Sequence, residues 1–355
     1  MKKIKGLLSM LLVISLFAVG CGTQSQTTTT QKPAADAKTG TQQPATGQSS
    51  TANRAPFEIK MGSGPSGAVT DALYGAVWED FKKNVPYLKG GPTTGTVAAN
   101  IMGLVQGKYN IAHSTSDLTG AALDGTEYFE KSGKVTGVYN LLTWWPMTST
   151  MVVWADSPYQ KIEDLKGKKI SPGPKAGSND LELQRILKAM GMSYSDFDVQ
   201  FLGFDDAAQQ MTDGHMDALL YANTAFPHAG LMSVFAQKQV RLLPIPDDII
   251  KKVCSQYQGL APQVLPEGTY KLKDGTASPA MNGVGAYIHW LVKGDFPEDV
   301  AYDMVKSITE NFDRYQKAFP GNLKGMTAKD LAREVPGVPL HPGAAKYFKE
   351  RGFIK

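Results

Sequence analysis

Glycines and hydroxyl-bearing residues cluster where predicted strands turn into predicted helices. Gly62-Ser63-Gly64-Pro65-Ser66-Gly67 follows the alternating strand pattern Phe57–Met61. It precedes Leu73, Val77 and Phe81, spaced as one face of a helix. Thr94 and Thr96 stand before a second helix through Val97, Ile101 and Leu104. Ser114-Thr115-Ser116 closes the short apolar strand Asn110–His113. Lys175, Gly177 and Ser178 lie in the turn before a helix carrying Leu183, Ile186 and Leu187. Tyr221 and Thr224 end a strand that begins at Ala218, and Trp145 with Trp144 could stack on a carbon chain. The chemistry this suggests is non-covalent anion capture. Free backbone N–H groups and the positive end of the helix dipole attract an anion at a helix start. No arginine occurs in any of these loops, and Lys175 is their one cation. The candidate ligand-binding residues are therefore Ser63, Gly64, Ser66, Thr94, Thr96, Ser114, Thr115, Ser116, Trp145, Lys175, Gly177, Ser178, Tyr221 and Thr224. Ser66, Thr96 and Ser178 read equally well as helix caps, and both tryptophans as core.

Other chemistries lack their residues. Gly62 to Gly67 matches GxGxxG, but a dinucleotide site wants an acidic residue at a second strand end about 20 positions on. Glu79 and Asp80 fall inside the first helix instead. His113, His215, His228, His289 and His341 show no metal-ligand spacing and read as surface or core residues. No serine stands in GxSxG. Neither an enzyme nor a cofactor nor a metal is expected.

The charge is placed tellingly. The 355 residues carry 37 basic and 33 acidic side chains, but residues 1–56 hold six bases and one acid. Residues 57–355 are left with 31 and 32, which offers no charge argument for nucleic-acid binding. Lys2, Lys3 and Lys5 followed by the apolar run Leu7–Val19 have the form of an export signal over residues 1–20. The run is short of the roughly 20 apolar residues of a membrane span. Ala18-Val19-Gly20-Cys21 resembles a bacterial lipobox, with Ala18 where Leu is usual, so Cys21 is expected to carry lipid. That leaves Cys254 without a disulfide partner. Residues 21–56 are expected to form a disordered tether, because Gly22 to Pro56 contains no Val, Ile, Leu, Met, Phe, Tyr or Trp. Such a coil spans on the order of 30–35 Å root-mean-square.

The elements that must position the candidate loops alternate strand, turn and helix, which predicts an α/β protein with mainly parallel sheets. Leu104–Ala112 and Gln210–Ala218 follow one plan: a helix end, a Gly, a basic residue, then Asn or Asp opening a strand. This faint repeat suggests two similar lobes whose strand-end loops face a shared cleft.

Several segments together resemble the TAXI family, extracytoplasmic solute-binding proteins associated with TRAP transporters. They are Met61–Gly67, Pro92–Thr96, Ala112–Asp117, Ile162–Lys168, Pro266–Tyr270 and Pro339–Phe348, and the likeness spans roughly residues 57–352. Departures fall at the presumed cleft: Thr115-Ser116-Asp117, Trp144-Trp145 and Asn179-Asp180 stand where relatives commonly carry other residues. The resemblance implies a type II periplasmic-binding fold, two α/β lobes joined by crossing strands near Thr150–Trp154 and Ala286–Leu291. Lobe 1 is expected over 57–147 plus 258–355 and lobe 2 over 148–257. It also implies a small carboxylate ligand (glutamate, glutamine, a 2-oxo acid or a dicarboxylate), a TRAP transporter as membrane partner and a location outside the bacterial cytoplasm. Two alternatives stand beside it. One is the binding protein of an ATP-driven importer for sulfonates or pyrimidine precursors. The other is a surface lipoprotein without a small ligand.

Overall fold

The computed structural model describes residues 54–66 and 68–355. The export signal, Cys21 and residues 22–53 of the tether lie outside them. Arg54, counted with the tether, is pinned: its guanidinium meets Asp299 at 2.9 Å, Asp303 at 2.8 Å and the Tyr87 hydroxyl at 2.9 Å.

The first lobe opens with β1 (Phe57–Gly62), α1 (Val69–Asn84), β2 (Leu88–Thr93), α2 (Val97–Val105), β3 (Ile111–Thr115), α3 (Ser116–Asp124) and β4 (Val138–Pro146). The second contains β5 (Thr148–Trp154), β6 (Lys169–Ser171), α4 (Ser178–Ala189), β7 (Asp198–Val199), α5 (Phe204–Thr212), β8 (Ala218–Thr224), α6 (Ala229–Gln237), β9 (Val240–Leu242) and α7 (Asp247–Gln256). A hairpin, β10 (Ala261–Leu265) with β11 (Met281–Gly285), leads to β12 (Tyr287–Lys293). Three helices close the chain: α8 (Glu298–Glu310), α9 (Phe312–Ala318) and α10 (Pro342–Glu350).

The two sheets share one plan. The first has the order β2-β1-β3-β12-β4 and the second β7-β6-β8-β5-β9. In each, three parallel strands meet one antiparallel strand that entered from the other half of the chain. That order and those directions are the type II periplasmic-binding arrangement, and the α/β class read from the sequence holds. The antiparallel strand in each sheet is a feature the strand-helix alternation did not reveal. The faint repeat falls on equivalent elements, α2 into β3 and α5 into β8. Gly107 and Gly214 stop the two helices at φ 75° and 77°, a left-handed turn that glycine takes without steric strain.

The chain crosses between sheets twice, at Met147 and at Ala286. The crossings run side by side, with Met147 N donating to Ala286 O at 2.7 Å. Gly285 permits the approach, because a Cβ there would collide with the Met147 carbonyl and with Gln263. The hairpin preceding the second crossing packs on the second lobe. Val284 joins the core of Met151, Leu220 and Ile250, while Leu265 and Tyr270 join that of Leu219 and Phe235. Sequence reading assigned 258–285 to lobe 1; the return to lobe 1 comes at Ala286. Trp144, Trp145 and Trp290 sit in the core of the first lobe with Tyr74, Phe81 and Phe348. Here α10 is N-capped by His341, whose Nδ1 accepts from Gly343 N at 3.3 Å. No described helix is long and apolar enough to cross a membrane.

Candidate functional site

Each parallel strand runs into a helix, and six helix starts converge. The N-terminal residues of α1, α2 and α3 in the first lobe and of α4, α5 and α6 in the second line one cavity of about 80 Å³. Their representatives are Thr70, Thr96, Thr115, Ser178, Phe204 and His228. None of the six has a side-chain cap. The first N–H groups of a helix have no intrahelical partner, so six positive helix ends share this space. The volume holds on the order of six water-sized groups.

Three buried polar atoms on its walls lack any partner within the protein: Thr70 Oγ1, Thr115 Oγ1 and His228 Nδ1. Thr70 is placed by Gly64, where a Cβ would collide with its hydroxyl. His113 is held by Tyr74, its Nδ1 lying 2.8 Å from the phenol oxygen. Phe204 and Tyr221 pack edge-on against His228 at 4.6 and 5.4 Å between ring centres. Burial pushes His113 down to about 3 and His228 to about 4, so both imidazoles are neutral near pH 7. Among the described lining residues none is Asp, Glu, Lys or Arg. Val69, Val97, Met147, Phe204 and Ile288 supply apolar wall.

Five sequence candidates line the cavity: Thr96, Thr115, Gly177, Ser178 and Thr224. Ser178 lines it with a hydroxyl already committed. That oxygen donates to Asp117 Oδ2 at 2.6 Å and accepts from Asn223 Nδ2 at 2.8 Å, leaving the backbone N–H of the helix start. The remaining candidates stand elsewhere. Ser63 is buried behind the turn, its carbonyl accepting from Asn100 at 2.6 Å, and Gly64 acts by making room for Thr70. Ser66 and Thr94 are exposed. Ser114 bonds Thr119 at 2.7 Å, and Ser116 joins the crossing, donating to Gly259 O at 2.5 Å and accepting from Tyr287 N at 2.9 Å. Trp145 is core, and Tyr221 lies behind His228. Lys175 is exposed over the Phe201 ring. Thr70, His113 and His228 are lining residues that sequence reading does not place at the site; Asn179, expected at the cleft, and Asn223, beside Thr224, line it as well. Thr70, Asn179 and His228 occupy the same strand-to-helix turns that selected the others, so position was the available signal.

A second set of contacts joins the lobes beside the cavity. Arg185 of α4 grips Glu127 of the first lobe with two bonds, at 2.9 and 2.6 Å, and reaches Glu182 at 2.6 Å. Tyr128 donates to Asp180 at 2.5 Å, and Ser178 to Asp117 at 2.6 Å. These bonds hold the two lobes together around the cavity.

A family model described as the NMT1-like family matches residues 68–352. Among solved structures, the chain is similar to the periplasmic aliphatic sulphonate binding protein SsuA from Escherichia coli. Identity is 15%, coverage 84% of this chain and 88% of that one, and the TM-score 0.43. It is also similar to the alkanesulfonate-binding protein SsuA from Xanthomonas axonopodis pv. citri bound to MOPS, at 16% identity, 85% and 96% coverage and TM-score 0.45. A third is a putative L-cystine ABC transporter protein from Listeria monocytogenes, at 14% identity, 76% and 96% coverage and TM-score 0.45. At these similarities no ligand carries over. The chain belongs to the NMT1-like family, and its two lobes around a cleft are those of a solute-binding protein.

Proposed function

We propose that this protein captures a small organic anion, a carboxylate or sulfonate, outside the cytoplasm and delivers it to a membrane importer. The observation that carries this is the convergence of six uncapped helix starts on a small cavity with three unpartnered buried polar atoms. An anion held there gains N–H and hydroxyl donors at the positive ends of dipoles, which serves where no arginine lines the wall. The protein acts by closure of the lobes and not by covalent chemistry.

The NMT1-like match favours an ATP-driven importer as the partner over the ion-driven TRAP transporter that the TAXI resemblance implies. Lipid attachment through Cys21 would keep the domain near that importer, and Cys21→Ala then releases it from the membrane; membrane retention of that variant contradicts the anchor. The ligand reading is tested by a melting-temperature screen of carboxylates, sulfonates, neutral sugars and cationic amines. A ligand that binds the folded form raises the melting temperature by mass action, about 2.7 kcal/mol at a hundred times its Kd. An anion should give the largest rise. A rise with neutral or cationic compounds alone contradicts the proposal.

A further inference from the structure

We infer that the cavity selects a singly charged anion with an apolar body, of the 2-oxo acid or alkanesulfonate kind, and rejects the α-amino acid of the same shape. This rests on the anion-capture reading and narrows it. An α-amino acid brings an ammonium beside its carboxylate. Buried ammonium groups need a carboxylate or several oxygen acceptors, because a buried charge left unpaired is strongly disfavoured. The described wall offers no Asp or Glu, and its six helix starts present N–H groups and positive dipole ends, which repel a cation.

Asp117, bonded to the lining residue Ser178, does not itself line the cavity. Its Oδ2 accepts the Ser178 hydroxyl at 2.6 Å, its Oδ1 is buried without a partner in the protein, and its charge is felt by Arg185. The buried histidines do not reverse the preference. Being neutral, His113 and His228 add no negative charge, and His113 Nδ1 is occupied by Tyr74. Beyond the charged head the wall is Val69, Val97, Met147, Phe204 and Ile288, which suits a short alkyl chain and offers a second charge no ion-pair partner. The cavity of about 80 Å³ keeps the body small.

Calorimetric titration of the full chain with matched pairs decides it: 3-methyl-2-oxobutanoate against valine, pyruvate against alanine, and propane-1-sulfonate against taurine. In every pair that shows binding, the compound without the ammonium should bind ten times tighter or more. An amino member binding as tightly as its partner overturns the inference while leaving anion capture standing. No binding by any of these anions, with binding by a neutral or cationic compound, overturns both. Binding by none of the six overturns the inference. Thr96→Asp supplies a control at the same wall, since Asp is a good N-cap for α2. It should fold with an unchanged melting temperature and lose the anion at least tenfold; unchanged affinity contradicts the charge argument.

Discussion

Two threonine hydroxyls, Thr70 and Thr115, stand buried at the cavity wall with no partner in the protein. A hydrogen bond to a charged group contributes about 1.5–3 kcal/mol. Thr115→Val keeps the shape and should weaken anion binding by roughly tenfold or more at nearly unchanged melting temperature; calorimetry reads the first and thermal denaturation the second. Ser116→Ala should do the opposite. It leaves the Tyr287 N–H and Gly259 carbonyl short of a partner, so stability falls by about 1–3 kcal/mol in urea while anion contacts survive. Sequence alone ranked these two neighbours together, because both are hydroxyls at one strand end. Only the burial and partner of each oxygen separates them, and neither is written in residue type. The titratable groups set a pH window. Burial lowers His113, His228 and His289 to about 3, 4 and 3, so stability present above about 6.5 is lost as pH falls through those values. Glu182 is raised to about 8 by burial, which outweighs the lowering by Arg185 and is reinforced by Asp117 and Glu127 nearby. Its contribution is full below its ordinary 4.5 and lost as pH rises through 8. Melting temperature should therefore peak between these limits, and Glu182→Gln should flatten the alkaline decline. An alkaline limb unchanged in that variant contradicts the assignment.

Helix starts and one helix face do the work at the next scale. The six parallel strands point their carboxyl ends at one place, so the turns after them become walls of a common cavity. This was legible in sequence: the candidate residues mark five of the six turns, and Thr96, Thr115, Gly177, Ser178 and Thr224 line the cavity at four of them. The start of α5 carries no glycine-hydroxyl cluster and supplies Phe204, an apolar wall residue with no such signal in the sequence. The contacts of α4 across the lobes were likewise invisible, since Glu127 and Arg185 are 58 positions apart. Here Glu127 takes φ 58°, unusual for a side-chain-bearing residue, while meeting Arg185 with both oxygens. Glu127→Ala removes the first-lobe half of that clamp without touching the cavity. The unliganded variant should scatter with a larger radius of gyration, and anion affinity should fall by about tenfold, as expected when a bond worth roughly 1.4 kcal/mol of closure is lost. Unchanged scattering and affinity would show that the clamp plays no part in closure.

As a whole, the molecule is two copies of one sheet plan exchanged through two crossings, Met147 and Ala286. The lobes were readable from the repeated helix-Gly-strand order. The lobe boundary was not, because the hairpin Ala261–Gly285 follows lobe 2 in sequence and gives no signal of which core it joins. With the near-equal balance of 31 basic and 32 acidic residues over 57–355, the proposed attraction for an anion rests on local dipoles and not on net charge. Anion affinity should accordingly depend little on ionic strength, with less than a threefold change in Kd between low and physiological salt, since a buried site is screened weakly. The measurement closest to the central claim is a crystal structure with the compound that raises the melting temperature most. The account predicts an anionic group between the lobes, within hydrogen-bond distance of the Thr70 or Thr115 hydroxyl and of first-turn N–H groups from both lobes. An anion bound outside the cavity, or a neutral or cationic compound filling it, would contradict the account.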